Sequence, residues 1–338
     1  MTLLERFEQG DIRALSRLVS YVENRGERFQ ELLGRLYPKA GRSLRIGVTG
    51  PPGAGKSTLV NGLARLFLQN NQRVGIIAVD PTSPFTGGAL LGDRVRMNDF
   101  PTDGRVYFRS MATRGATGGL SAATDNVAIL YDAFGYDVTL IETVGVGQVE
   151  LDIIDTCDVV VVVIVPESGD AVQMLKAGLM EIADIFCMNK ADRPGAERLV
   201  ADLRHTLETT QLVAQTRFKS GVLSPQRHTL ISHDNGDNHT IPIIQTQAVN
   251  NVGLDELYAA INGHLDQIRA TGVFDANRRR RLRKKILNIL SYRFQGEFLE
   301  HLADETELDR AIDSIRTGQT NPYKISDQLY RQFLSRQT

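Results

Sequence analysis

At 338 residues the chain is long enough for one large α/β domain with helical additions, or for two domains. Its 42% hydrophobic and 23% charged content is that of an ordinary globular protein, and a net charge of −1 makes no general case for nucleic acid or anionic membrane as partner. Met1 to Arg13 is mixed and polar, so no signal peptide is expected, and the longest apolar run, Val159 to Val165, is far too short to span a bilayer. The two cysteines, Cys157 and Cys187, lie in apolar surroundings without C-x-x-C spacing, which reads as buried free thiols in a reducing cytoplasm.

Residues 4–36 carry helical periodicity and no strand signal. Asp11 is placed to cap a helix whose Ile12, Leu15, Leu18, Val19 and Val22 share one face, and a second helix near Phe29 to Leu36 ends before Pro38. Strands are predicted at 44–48, 74–79, 105–109, 137–142, 158–165, 184–188 and 242–246. Helices are predicted near 57–69, 119–134, 170–180, 194–210 and 254–268. Such alternation, with near-continuous Val/Ile strands, implies a mostly parallel sheet covered by helices on both faces. Thr216 to His239 is rich in Ser, His, Asp, Asn and Gly and reads as a mobile or inserted loop. After Gly272 the pattern is all-helical. The expected organisation is an N-terminal helical extension over 1–40, a nucleotide-binding domain over 41–270 and a C-terminal helical arm over 271–338.

The most informative stretch is Gly50, Pro51, Pro52, Gly53, Ala54, Gly55, Lys56, Ser57 and Thr58, which fits G-x-x-x-x-G-K-[ST] between a strand and a helix. Glycines let successive backbone N–H groups face one phosphate, and the helix N-terminus adds positive potential. Lys56 can reach the β- and γ-phosphates, and the Ser57 hydroxyl can ligate Mg²⁺. Further polar residues fall at strand ends, where ligands bind in doubly wound sheets. Asp80 ends one strand. Glu142 ends another and opens Glu142-Thr-Val-Gly145, the form of a Walker B strand with Glu for Asp and a glycine placed to sense the γ-phosphate. A Gly-rich segment from Thr82 ends in Asp93-Arg94. One strand-end acid alone reads as a helix cap or surface charge; three beside a phosphate loop read as a site.

Asn189-Lys190-Ala191-Asp192 follows the next strand but one and selects the base. The Asp192 carboxylate can accept from guanine's ring N–H and its exocyclic amine. Adenine offers no such pair and would leave the carboxylate unpaired. Lys190 can lie along the base and Asn189 can tie the loops together. Gln247, Ala248 and Val249 form the last recognition loop, with a backbone N–H for the guanine carbonyl. Small GTPases place Ser or Thr before this alanine; Gln247 departs from that.

The assembled motifs resemble the MeaB/ArgK family of GTPases, of the SIMIBI class. They include Gly10-Asp11-Ile-Arg-Ala-Leu15, Val79-Asp80-Pro-Thr-Ser, Thr86-Gly-Gly, Gly92-Asp93-Arg-Val-Arg-Met97, Glu142-Thr-Val-Gly-Val-Gly-Gln148 and Asn189-Lys-Ala-Asp192. The likeness covers about residues 8–270 and is weakest over 212–252. It implies a P-loop NTPase fold and Mg²⁺-dependent hydrolysis of GTP to GDP, with Ser57, Asp80, Asp93 and Glu142 around the metal. It further implies a chaperone role toward an adenosylcobalamin-dependent acyl-CoA mutase such as methylmalonyl-CoA mutase, and a homodimer through the C-terminal helices. The alternatives are a metallochaperone GTPase and a nucleotide-dependent kinase of a transport system.

The catalytic set expected is Lys56, Asp93, Glu142, Gly145 and Gln148. Val146 stands where Ras-like enzymes have a water-orienting Gln, so intrinsic turnover is expected to be slow and raised by a partner; Gln148 is a candidate if the switch folds back. Arg94 and Arg96 read equally as positive charge for the site or as surface residues. The run Arg278-Arg-Arg-Arg-Leu-Arg-Lys-Lys285 opens an amphipathic helix with Leu282, Ile286, Ile289, Leu290, Phe294, Phe298 and Leu302 at helical intervals. It reads as a dimer or partner helix with a solvated basic edge rather than a nucleic-acid site. His228, His233 and His239 fit no tetrahedral metal spacing.

Overall fold

The computed structural model describes residues 2–80, 100, 103–112, 119–143, 153–167, 179–219, 241–301 and 305–336. They fall into two compact units, Met1–Arg278 and Arg279–Thr338.

The first unit is built on seven parallel strands: β1 (Leu44–Thr49), β2 (Val74–Asp80), β3 (Val106–Ala112), β4 (Val138–Thr143), β5 (Val159–Ile164), β6 (Ile185–Asn189) and β7 (Ile243–Thr246). Their spatial order is β3-β2-β4-β1-β5-β6-β7. The helices are α1 (Leu3–Glu8), α2 (Ile12–Glu23), α3 (Phe29–Leu36), α4 (Lys56–Gln69), α5 (Gly119–Phe134), α6 (Leu179–Ile182), α7 (Ala196–Lys219), α8 (Leu254–Ala270) and the start of α9 (Val273–His301). The parallel P-loop architecture expected from the sequence is the one found.

Strand β5 shows why the sheet is buried on both sides. All six of its residues are buried, with Val159, Val161 and Val163 in one apolar layer and Val160, Val162 and Ile164 in the other. β-Branched side chains suit this pleated surface, and each fully buried Val contributes about 1.5 kcal/mol or more. Helices α4 and α8 cover the first face; α2, α3, α5, α6 and α7 cover the second. The leading helices are therefore part of the core. Asp11 caps α2 by accepting from the backbone N–H of Arg13 and Ala14, and Leu15, Leu18, Val19 and Val22 are buried. Phe7 of α1 packs its ring 5.1 Å from that of Phe134. Glu23, at the end of α2, pairs with Arg109 of β3.

Two readings of the sequence need correction. Helix α7 continues to Lys219, so Thr216 to Lys219, expected in a loop, is helical; the rest of that expected loop, 220–239, lies outside the described residues. Its first four residues, Thr216-Arg-Phe-Lys219, lack the Gly and Asn that make the remainder loop-like. Arg278, expected on a solvated basic edge, is instead a structural clasp. Its Nε and Nη2 donate to the Asp158 carboxylate at 3.1 and 3.0 Å, and Nη2 also donates to Ser43 O at 2.8 Å. The guanidinium lies 4.3 Å from the Phe274 ring centroid. Asp158 is 1% exposed and also accepts from Arg45 N. Arg278→Ala strips the guanidinium from this buried carboxylate, and a loss of about 3 kcal/mol is expected. Urea unfolding of the variant checks it; a midpoint equal to that of the parent would show that Asp158 does not need this partner.

In the second unit α9 continues to His301, followed by α10 (Glu305–Arg316) and α11 (Pro322–Arg336). Phe294 and Phe333 meet edge-on at 5.4 Å. Leu282, Ile286, Leu287, Ile289, Leu290 and Tyr292 are exposed in this chain.

Candidate functional site

Strand β1 sits between β4 and β5 in the middle of the sheet, and ligands of such parallel sheets bind outside the carboxyl ends of the strands. The phosphate loop fills that position, running from Gly50 at the end of β1 to the first turn of α4. Two glycines show the constraint. A Cβ on Gly50, at φ +137°, would lie 2.1 Å from Val163 O. A Cβ on Gly55, the α4 N-cap at φ +86°, would lie 2.4 Å from Asn189 Nδ2. Gly55→Ala therefore pays for left-handed backbone, about 1–2 kcal/mol, and pushes Asn189 aside. At least tenfold weaker nucleotide binding is expected; calorimetric titration with GDP is the check, and parent-like affinity would refute the argument.

Lys56 is 6% exposed. Its ammonium donates to Gly50 O at 2.7 Å and Pro51 O at 2.9 Å, inside the loop. The Ser57 hydroxyl donates to Glu142 Oε1 at 2.5 Å. Glu142 is the register partner of Val48 in β1 and of Ala78 in β2, so the sheet itself carries the carboxylate to the first turn of α4. Ser57 and Glu142 thus bring two hard oxygen donors together, the kind of ligand Mg²⁺ takes, and the pair fits that ion. Asp80 closes β2 beside the end of β4; its side chain lies outside the described residues, as do Asp93, Gly145 and Gln148 entirely. Arg94, Arg96, Val146, His228, His233 and His239 also lie outside them.

The loops after β6 and β7 meet the phosphate loop through Asn189. Its Nδ2 donates to Ala54 O at 2.8 Å, and its Oδ1 accepts from Thr246 Oγ1 at 3.1 Å and Ala248 N at 3.0 Å. One amide therefore joins the phosphate loop, the end of β7 and the loop after it. Lys190 turns the chain at φ +57°, Asp192 is exposed, and Ala191 N donates to Thr246 O at 3.0 Å. In the loop after β7, expected from the sequence to face the base, Gln247 N donates to Val252 O and Ala248 N to Asn189. Val249 is the exposed member of the three, at 82%. Arg193 pairs with Glu167, linking the loop after β6 to the end of β5 and holding the Glu167 carboxyl below its ordinary range.

Sequence reasoning overlooked Thr246 and treated Cys187 only as a small apolar residue; the one available signal was a hydroxyl ending an apolar strand. It also overlooked Thr143, whose hydroxyl donates to that of Thr49 at 2.7 Å, pinning the ends of β4 and β1 together beneath the loop.

Comparison with known proteins agrees with this geometry. The family model described as "Methylmalonyl Co-A mutase-associated GTPase MeaB" matches residues 15–301. A putative GTPase of Pyrococcus abyssi is 41% identical over 332 residues, 98% of this chain and 96% of that protein. The GTPase ArgK of Escherichia coli is 32% identical over 311 residues, 91% and 87% of the two chains. A crystal structure of an LAO/AO transport system kinase is 25% identical, with a TM-score of 0.64 over 97% of this chain and 95% of that one. With a built phosphate loop and a family match spanning most of its length, the chain belongs to the MeaB family of P-loop GTPases.

Proposed function

We propose that this GTPase hydrolyses GTP to GDP with Mg²⁺ and acts as a chaperone of an adenosylcobalamin-dependent acyl-CoA mutase, such as methylmalonyl-CoA mutase, gating cofactor loading and protecting the client. The observation that carries the reading is the family match over 15–301, whose description names association with that mutase. The site chemistry supports the hydrolytic half. Loop amides and Lys56 hold the phosphates, and Asn189 keeps loop and base site in one frame. Ser57 and Glu142 would hold the metal together with Asp80 and Asp93. Bound Mg²⁺ supplies neutralisation of the charge on the transferring phosphoryl group. Asp192 would read guanine, and Gln148 or a partner's residue would orient the water. The exposed apolar residues of α9, among them Leu282, Ile286 and Leu290, support a homodimer through the C-terminal helices. Among the described residues no helix is long and apolar enough to cross a membrane; we place the protein in the cytoplasm, without membrane or nucleic-acid partner.

GTP turnover by the purified protein, alone and with a methylmalonyl-CoA mutase from the same organism, tests the proposal. Stimulation that disappears in Lys56→Ala is expected; turnover indifferent to the mutase would remove the client. The similarity to a transport system kinase keeps a second reading, phosphoryl transfer to a protein acceptor. Label from γ-phosphate-labelled GTP appearing on protein instead of in free phosphate would favour it.

A further inference from the structure

Strands β5 and β6 are neighbours, with Ile164 opposite Met188, so residues just past their ends come together. From β6 comes the turn Lys190 to Arg193, closed by Arg193 N donating to Lys190 O at 3.0 Å. Pro194 follows and narrows the backbone freedom of Arg193. From β5 comes Glu167, whose carboxylate accepts from Arg193 Nη1.

Both members of this pair are charged. The bond to Arg193, helped by the charge of Lys190, holds the Glu167 carboxyl below its ordinary range. The bond to Glu167, and after it the charge of Asp192, hold the Arg193 guanidinium above its own. Arg193 is therefore drawn by two carboxylates, Glu167 across the strand ends and Asp192 next to it in sequence, and it is bonded to the first. A guanidinium turned to Asp192 would instead occupy the acceptor oxygens that guanine's ring N–H and amine need.

We propose that Glu167 is a positioning residue for guanine selection: it holds the Arg193 guanidinium, steadying the turn that carries Asp192 and keeping that cation off the Asp192 carboxylate. The inference rests on the proposed reading of Asp192 as the guanine acceptor. Simple charge makes the opposite prediction. A nucleotide is an anion, so removing a nearby carboxylate should tighten its binding. On the proposal Glu167→Gln weakens it, because the freed Arg193 competes for Asp192. Arg193→Ala should cost less, since it loses the anchor but introduces no competitor. Adding Arg193→Ala to Glu167→Gln should then return part of the affinity.

The test is titration of the full-length parent, both single variants and the double variant with GDP and with ADP, followed by GTP turnover. Each side chain is 48% exposed, which bounds the effect. Glu167→Gln should weaken GDP binding about three- to fivefold, Arg193→Ala and the double variant about twofold. KM for GTP should rise alike, with kcat within about twofold, and ADP affinity should not fall. At about 1 M salt the Glu167→Gln deficit should shrink below about twofold. A Glu167→Gln variant that binds GDP as tightly as the parent, or tighter, overturns the proposal. So does a double variant that binds no better than Glu167→Gln, an ADP affinity that falls with that for GDP, or a kcat that falls with affinity. A parent protein that binds GDP no better than ADP would sink the guanine site, and the proposal with it.

Discussion

Lys56→Ala is expected to lower GTP turnover by about a hundredfold or more while the protein still folds. The ammonium lies on the floor of the phosphate loop, nearly sealed from water, and donates to two carbonyl oxygens of the loop, Gly50 O and Pro51 O. Phosphate oxygens entering the loop are stronger acceptors than carbonyls, so the same side chain can turn to them without leaving its pocket. Negative charge grows on the phosphoryl oxygens as the bond to the leaving group breaks, and a fixed cation in a dry loop stabilises that charge far more than one in water. Alanine leaves the two carbonyls without this donor, which costs about 1–3 kcal/mol, but it also removes a buried cation, which offsets part of the loss. The expected signature is lost single-turnover hydrolysis with a melting temperature close to the parent's. Turnover within tenfold of the parent, in a variant that melts normally, would mean that the charge comes from another side chain.

The parts of this site legible in the sequence are those whose geometry is local. Strand, glycine turn and helix follow one another from Leu44 to Gln69, so the spacing of Gly50, Gly55, Lys56 and Ser57 determines the loop almost alone. The strands read equally well, because residues buried on both faces leave runs such as Val159 to Ile164 with no polar interruption. The leading helices were legible through period: Leu15, Leu18, Val19 and Val22 form one stripe, and all are buried. What spacing does not encode is which distant polar groups meet. Thr246 and Asn189 are 57 residues apart, and each looks like an ordinary strand end until β6 and β7 are placed side by side. Arg278 looks like the first of several solvated arginines, yet its carboxylate partner lies 120 residues earlier at the foot of β5. Its neighbour Phe274, one helical turn back, was the local hint that the guanidinium had an apolar face to rest on.

Asp192→Asn is expected to move base preference rather than chemistry. Asp192 is exposed in the loop that leaves β6, and the Asn189 amide holds that loop to the phosphate loop. On the proposed function a carboxylate there would accept from both the ring N–H and the exocyclic amine of guanine. Asparagine keeps one acceptor and turns the other into an amine, which faces guanine's amine donor to donor. Unpaired polar groups in a site built for hydrogen bonds can cost several orders of magnitude in discrimination, and a rise in KM for GTP of about a hundredfold or more is expected. Xanthine carries an oxygen where guanine has that amine, so the same substitution should create affinity for xanthosine triphosphate. The phosphate loop, Lys56 and the Ser57–Glu142 pair are untouched, so kcat with saturating xanthosine triphosphate should stay within a few-fold of the parent's with GTP. Competition of each nucleotide against labelled GDP, followed by turnover at saturation, reads both halves. A variant that still prefers GTP would place base recognition elsewhere in the crevice. One that gains xanthosine triphosphate binding but no turnover would show that the base loop also sets the position of the phosphates. The amide of Asn189 is placed to transmit such a shift, since it touches Ala54 on one side and Ala248 on the other.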